Sequence, residues 1–259
     1  MVSTGTPVAG PLTAADDLRR AAELYRRVFG YQDPSHSVNP RLLSSLAANG
    51  GSVVGAHDLA GEVIAFAYGF VGTDGEQVYH YSQAAVVDPA HQGTGLGRAL
   101  KRAQRDVAVA TGQMRMRWSY DPVLTRNGHF NLDVLGAVGR WFRRDLYGVP
   151  GTDRIIVDWD LDDDRRARAA APARAYPDDA PAADDPAGWF HPHRDGDHVW
   201  VSLPSDLATA ATERDRTPLD IRDELRRAVG ALMADGYVAV SCVRAGERTA
   251  AYRFVPEHP

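Results

Sequence analysis

Apolar residues recur every three or four positions in two stretches near the start of the chain. The first stretch follows Thr13, a residue suited to an N-cap, and stops at Gly30. The second begins at Pro40 and stops at Asn49. This spacing places the apolar side chains on one helical face, so the sequence predicts two amphipathic helices that pack on a sheet.

The following segments are rich in β-favouring residues and are separated by turn residues. Strands are predicted at residues 52–56, 62–71, 77–87 and 113–120, with a helix at 98–111 between the last two. Short turns between the first three strands favour antiparallel pairing, whereas strand, helix and strand in succession favour a parallel pair with a right-handed crossover. The predicted fold class is therefore α/β (α+β), with a mixed, mostly antiparallel sheet flanked by helices.

The pattern then divides the chain into segments of different character. Residues 1–12 carry no periodicity and are expected to be a flexible lead. Residues 13–161 form the predicted main domain, which ends with a helix near 127–136 and a strand at 154–159. Residues 162–187 are rich in Ala, Pro, Asp and Arg and resemble a linker. Residues 188–259 predict a small α/β unit of strand, helix and hairpin, which should pack on the first domain or pair in a homodimer.

Composition indicates an ordinary globular protein. The 259 residues are 44% hydrophobic and 24% charged, and the net charge of −5 provides no global basic field for nucleic acid. A local basic cluster in the 98–111 helix could attract nucleotide phosphates or be a solvated face; it consists of Arg98, Lys101, Arg102 and Arg105. No apolar run approaches 18 residues and no secretory leader is evident, so we expect a cytoplasmic protein with no membrane partner.

Cysteine and histidine usage narrows the chemistry. Cys242 is the only cysteine, which excludes an intrachain disulfide, and its apolar strand-like surroundings favour a core position over a nucleophile. His191, His193 and His198 invite a zinc interpretation, but no cysteine or paired carboxylate accompanies them. We therefore expect no metal.

The most informative stretch lies between the 77–87 strand and the 98–111 helix, and it reads Gln92, Gly93, Thr94, Gly95, Leu96, Gly97, Arg98. Glycines let a backbone approach a ligand closely, and the N–H groups and dipole of a helix start favour an anion such as phosphate. A Walker loop would need Lys and a hydroxyl where Arg98 and Ala99 stand. A dinucleotide fingerprint would need another glycine spacing, so both interpretations are weak. A ligand-free glycine turn remains an alternative.

Residues 92–97 resemble the Gln/Arg-x-x-Gly-x-Gly/Ala signature of the GCN5-related N-acetyltransferase (GNAT) superfamily. The likeness extends from about residue 14 to 161, and residues 118–122 and 127–137 resemble a bacterial branch with a C-terminal extension, in part linked to N-succinylation of amino acids. The resemblance implies that residues 92–98 wrap the diphosphate of acetyl-CoA or another acyl-CoA. It also implies that two parallel strands splay apart, with Val86 and Val87 pairing with the pantetheine arm.

Candidate catalytic groups lie on both sides of that loop. His80 on the entering strand and Asp121 after the second parallel strand are candidates for a general base. A packed strand histidine and a turn-forming Asp-Pro are the alternatives. The helix tyrosine that many GNAT enzymes use as a general acid is missing, so the candidate substitutes are Tyr120, Tyr147 and transfer through water. Asn127 and Asn131 are candidates for binding the pantetheine or thioester, with a helix cap as the alternative for Asn127.

These features predict an acyl-CoA-dependent N-acyltransferase that moves an acetyl or succinyl group to the amine of a small molecule, such as an amino acid or a derived metabolite. Direct attack through a ternary complex agrees with the absence of a Ser/His/Asp or Cys/His pattern. Two alternatives remain. One is a GNAT-fold transferase with another donor such as aminoacyl-tRNA, which the arginines near the loop permit and the net charge opposes. The other is a non-catalytic acyl-CoA-binding protein.

Overall fold

The computed structural model describes residues 8–33, 36–170, 172–181 and 184–257. By its internal contacts the chain divides into two compact units, Met1–Trp118 and Ser119–Pro259. The class is α+β, with mostly antiparallel sheet flanked by helices, as predicted from the sequence.

The first unit is a sheet with strand order β1-β2-β3-β4-β5 and helices on both faces. All neighbours are antiparallel except β4 and β5, which are parallel. Apolar residues of α1 and α2 pack on one face, and those of α3 pack on the other. The elements are β1 (Gly10–Pro11), α1 (Ala15–Phe29), α2 (Pro40–Ala48), β2 (Ser52–His57), β3 (Val63–Thr73), β4 (Val78–Val87), α3 (Leu96–Ala110) and β5 (Arg115–Tyr120), whose last two residues belong to the second unit.

A β-bulge in β4 changes which face its side chains occupy. Tyr68 of β3 pairs with Ala84 and Gly69 pairs with Ser82, so Gln83 has no partner across this ladder. Ser82 bonds with side chains of α3, whereas Ala84 packs in the cluster formed by α1 and α2. Without the extra residue these two side chains would share one face. The bulge thus lies in β4 between the β4–β5 pairing and the glycine loop.

The pairing of β4 with β5 is short. His80 pairs with Met116 and Tyr81 pairs with Arg117, while β4 continues to Val87. Within the first unit, the edge of β4 from Ser82 to Val87 therefore has no paired strand on its β5 side. The parallel crossover predicted from the sequence is confirmed.

The second unit has the strand order β7-β6-β10-β11-β9-β8, and its neighbouring strands are antiparallel. Its core includes the fully buried rings of Trp200, Tyr252 and Phe254. The elements are α4 (Thr125–His129), which continues as a π-helical turn (Phe130–Val134), β6 (Val138–Arg143), β7 (Arg154–Asp160), α5 (Asp163–Ala169), β8 (Pro192–Asp195), β9 (His198–Pro204), α6 (Leu207–Glu213), α7 (Pro218–Ala234), β10 (Tyr237–Arg244) and β11 (Thr249–Pro256).

Two expectations about irregular segments need correction. Part of the predicted flexible lead is fixed, because Gly10 and Pro11 pair with β2 and Leu12 is buried; residues 1–7 lie outside the described residues. Part of the predicted linker is helical in α5, where the Asp162 side chain accepts from the Arg165 N–H. Further along, the Asp184 carboxylate accepts from the N–H groups of residues 247 and 248. The domain boundaries at 161 and 187 stay predictions.

Candidate functional site

The turn between β4 and α3 is held by local hydrogen bonds. The Asp88 carboxylate accepts from the Ala90 N–H and so begins a 3-10 turn at Pro89–His91. The Thr94 hydroxyl donates to the His91 carbonyl over 2.7 Å, and the Gln92 amide donates to the Val87 carbonyl over 3.4 Å. These contacts fix the path of the loop without using the backbone N–H groups of residues 93–98.

The N–H groups of the loop are available to a ligand. Across the described residues, no group accepts a hydrogen bond from the backbone N–H groups of residues 93–98, and residues 92–95 are exposed. Gly93 and Gly95 have φ of +79° and +90°, conformations that side-chain-bearing residues rarely adopt. Gly95 is also the N-cap of α3, so the partial positive charge of the helix end lies at this loop. The arrangement fits a diphosphate.

The open edge of β4 presents further N–H groups beside the loop. The Asp88 N–H donates to the Ile64 carbonyl on the β3 side. Because N–H groups of a strand point alternately to either side, those of Val87 and Ala85 point to the unpaired side. An extended chain such as a pantetheine arm could pair there, and one of these donors could polarise a carbonyl.

A buried polar network connects β2, β4 and α3 under the sheet. Ser82 donates to the Gln104 carbonyl, and the Gln104 amide donates to the Ser52 hydroxyl. This leaves the Ser52 proton for His80 Nε2, 2.7 Å away. His80 Nδ1 lies 3.0 Å from Gln113 Oε1, which can only accept. The network therefore assigns His80 a neutral ring with its proton on Nδ1.

His80 consequently lies in the core. Its side chain is fully buried, and burial lowers its pKa from 6.5 to about 4. Both ring nitrogens are engaged in the network. These contacts favour the packed-strand interpretation of His80 over the base interpretation, and the base role stays a prediction.

The lowered pKa of His80 predicts a pH-dependent stability. Between about pH 6.5 and pH 4 the unfolded chain binds a proton at His80 that the folded chain does not. The unfolding free energy should therefore fall by about 3 kcal/mol across this range through His80 alone. We expect wild type to lose stability more steeply than His80→Gln between these limits in urea unfolding. Equal slopes in the two proteins would contradict the assignment.

Lys101 is a site residue that the sequence interpretation misplaced. Its side chain is only 3% exposed and its Nζ donates to the Ser82 hydroxyl over 2.8 Å. Burial lowers the pKa of Lys101 from 10.5 to about 7. The predicted basic cluster is thus divided, because Arg98 and Arg102 are exposed while Lys101 faces the sheet. The helical spacing of Lys101 with Leu100, Gln104 and Ala108 was the signal available in the sequence.

Two of the candidate catalytic residues belong to the second unit. The Asp121 carboxylate accepts two hydrogen bonds from Arg222, at 2.9 and 2.8 Å, and one from the Val123 N–H. Asp121 therefore has the turn-forming contact of its alternative interpretation together with an ion pair. The Tyr120 side chain is 5% exposed, and burial strongly raises its pKa. The base role of Asp121 and the acid role of Tyr120 stay predictions.

The remaining candidates of the second unit are Asn127 and Asn131. Asn127 is exposed inside α4, and the N-cap of that helix is Leu124, so the helix-cap alternative for Asn127 is wrong. Asn131 is 4% exposed in the π-helical turn. Cys242 is buried in β10 and burial raises its pKa, which confirms the predicted core position. The loop and the β4 edge belong to the first unit, whereas these residues belong to the second.

In the described parts of the chain, no group of three or more His, Cys, Asp or Glu side chains is arranged to hold a metal ion. No helix in those parts combines the length and apolar character needed to cross a membrane.

The fold and the loop together define a class of protein. Residues 15–123 match the family model described as Acetyltransferase (GNAT) family. This match includes β4, the glycine loop and α3. Residues 15–123 therefore match an acetyltransferase domain of the GNAT family, as the resemblance seen in the sequence predicted. Comparison with curated proteins gives no match.

Solved structures of the same family are similar to the chain. One is the GNAT family N-acetyltransferase YhbS from Escherichia coli in complex with CoA, at 21% identity, covering 62% of this chain and 84% of that one, with a TM-score of 0.44. Another is the ribosomal-protein-S18-alanine N-acetyltransferase from Escherichia coli, at 20% identity, covering 65% and 98%, with a TM-score of 0.45.

Proposed function

We propose that the protein is an acyl-CoA-dependent N-acyltransferase that moves an acetyl or succinyl group to the amine of a small molecule. The observation that carries this proposal is the run of backbone N–H groups at residues 93–98, which have no acceptor among the described residues and directly follow the β4 edge that no described strand of the first unit pairs. The N–H groups of the loop suit a diphosphate, and the edge of β4 suits an extended amide-containing arm. Coenzyme A has both parts in this order.

The main chain would perform most of the binding. The N–H groups of residues 93–98 and the positive end of α3 would hold the diphosphate. The Val87 and Ala85 N–H groups would pair with the arm, and one of them would polarise the thioester carbonyl as a single-donor oxyanion hole. Loss of one such donor typically lowers the rate by about 10²- to 10³-fold.

The acceptor must supply a neutral amine. About a tenth of an α-amine with a pKa near 7.8 is neutral at pH 7, against less than 0.1% of a lysine-like amine. An α-amine therefore needs little help from a base, which suits a first unit in which both ring nitrogens of His80 are already engaged. Attack of this amine on the thioester needs no covalent enzyme intermediate.

A cavity of the first unit supports an amino-acid acceptor. It lies between α1 and the segment that begins α2, has a volume of about 620 Å³, and is lined by Arg19, Glu23, Arg26 and Asn39 among others. The GNAT resemblance implies that the segment of residues 30–50 shapes acceptor choice. Arginine and glutamate side chains in one cavity complement the carboxylate and the ammonium group of an amino acid.

The testing experiment is a thiol-release screen. It crosses acetyl-, succinyl- and longer acyl-CoA with amino acids of both hands and with simple amines. We expect acyl-CoA-dependent thiol release with at least one α-amine acceptor. Bound acyl-CoA without turnover over the panel would favour a non-catalytic binding protein, and salt-sensitive retention of tRNA on filters without acyl-CoA binding would favour the other donor class.

A further inference from the structure

The chain contains 29 lysine and arginine residues, and Lys101 is the single lysine among them. Arginine keeps its charge throughout the accessible pH range, whereas a buried lysine changes protonation readily. Apart from the histidines, Lys101 is therefore the only basic side chain of this sequence that can change protonation readily, and it is buried in α3.

The position of Lys101 coincides with the point where β4 and β5 part. Tyr81 and Arg117 are the last pair of the β4–β5 ladder, so Ser82 and Trp118 are the first residues beyond it on each strand. Lys101 Nζ donates to the Ser82 hydroxyl over 2.8 Å and lies 3.8 Å from the centroid of the Trp118 ring. The ammonium group thus bridges the two strands at the closed end of the unpaired edge, next to the bulge at Gln83.

The surroundings of Lys101 leave its charge without a counter-ion. Among the described residues, no carboxylate lies within 4.0 Å of Nζ. The contacts from β4 and β5 are a hydroxyl and an aromatic face, and the titratable side chain that senses its charge is His80 on β4. Gln104 of α3 and Ser52 of β2 are neutral links between the two. A buried cation with neutral contacts is stabilised by any anion that forms beside it.

We propose that Lys101 is the general acid of the acyl transfer and gives a proton to the sulfur that leaves the thioester. This inference rests on the proposed function, because it requires the thioester to lie along the unpaired edge of β4. It also supplies a proton donor in a chain whose corresponding helix lacks the tyrosine expected there. With a pKa of about 7, Lys101 is partly protonated at neutral pH and can both give and regain a proton.

The proposed step balances as follows. The acceptor nitrogen attacks the carbonyl carbon, a C–N bond forms, and the C–S bond breaks with its electron pair passing to sulfur. The Lys101 ammonium gives its proton to that sulfur and becomes a neutral amine. The acceptor nitrogen loses its extra proton to water, and Lys101 regains a proton from water after the thiol product leaves.

The first test needs no acceptor. Coenzyme A is bound to wild type, Lys101→Met and Arg102→Met, and the pKa of its thiol is measured from thiolate absorbance. Arg102 lies next to Lys101 in α3 but is exposed, so its substitution is the matched charge control. The same measurement is made on Lys101→Arg, because arginine stays charged above pH 7, where wild-type Lys101 has lost its proton. We expect the bound thiol to have a pKa at least about one unit lower in Lys101→Arg than in Lys101→Met, and Arg102→Met to behave as wild type.

The second test follows turnover with the acceptor from the thiol-release screen. Lys101→Met should lower kcat by about 10²-fold with little change in KM for acyl-CoA, and the decline of kcat at alkaline pH should disappear. Lys101→Arg keeps the charge but cannot release its proton, so it should retain the lowered thiol pKa while kcat stays reduced.

The outcomes separate the two proposals. If wild type does not bind coenzyme A, the proposed function fails. If it binds and the thiol pKa is the same in Lys101→Arg and Lys101→Met, or kcat of Lys101→Met equals that of wild type, Lys101 is not the acid although the function stands. If Lys101→Met does not fold, equal kcat and equal pH profiles in Lys101→Arg and wild type overturn the inference.

Discussion

Replacing Gly95 with valine is expected to weaken coenzyme A binding by more than about 100-fold, which corresponds to about 2.7 kcal/mol. Gly95 has a φ of +90° at the N-cap of α3, where a β-branched residue is strained. Relief of this strain would displace the neighbouring N–H groups that we assign to the diphosphate. Isothermal titration with coenzyme A measures the loss.

The matched control for this variant is Gly75→Val. Gly75 has a φ of +94° in the turn between β3 and β4, and no atom lies within 4 Å of the position of an added Cβ. The control therefore introduces comparable backbone strain away from the loop and should bind coenzyme A as wild type does. Equal affinity in Gly95→Val and Gly75→Val would contradict the role of the loop.

Replacing Arg226 with methionine is expected to lower the unfolding free energy by about 3 to 5 kcal/mol. The Arg226 guanidinium donates to Asp153 over 2.6 and 2.9 Å and to Asp145 over 2.9 Å. Asp153 is only 4% exposed, so the substitution leaves a buried carboxylate without its cation. Urea unfolding followed by circular dichroism gives the difference.

Arg227→Met is the control for the loss of an arginine from the same helix. Arg227 is exposed and forms no ion pair among the described residues, so its loss should change the unfolding free energy by less than about 0.5 kcal/mol. A loss in Arg226→Met no larger than in Arg227→Met would show that Asp153 does not depend on its partner.

The elements around the loop could be predicted from the sequence because local patterns determine them. Strand propensity ends at Pro89, the glycines require an unusual backbone, and α3 has a strongly one-sided apolar face. The bulge at Gln83 could not be predicted, because it depends on how β4 pairs with β3. The burial of Lys101 was missed for another reason, since a lysine in an amphipathic helix ordinarily faces water.

The second unit was predicted less completely. The strands β6 and β8 were missed because Trp141, Phe142 and residues 192–195 show no clear alternation, although each pairs with the strand that follows it in the chain. The contacts of Asp121 were equally out of reach, because Arg222 is 101 residues away in sequence. Local patterns report turns such as Asp121-Pro122, but they do not report ion pairs between distant segments.

The most direct test of the central claim is a titration of ¹⁵N-labelled protein with coenzyme A, followed by the backbone amide resonances. The account predicts the largest shifts at residues 93–98, where the diphosphate would accept hydrogen bonds, and a second group at Ala85 and Val87 on the unpaired edge of β4. Shifts confined to residues 119–259, or no shifts at saturating coenzyme A, would contradict it.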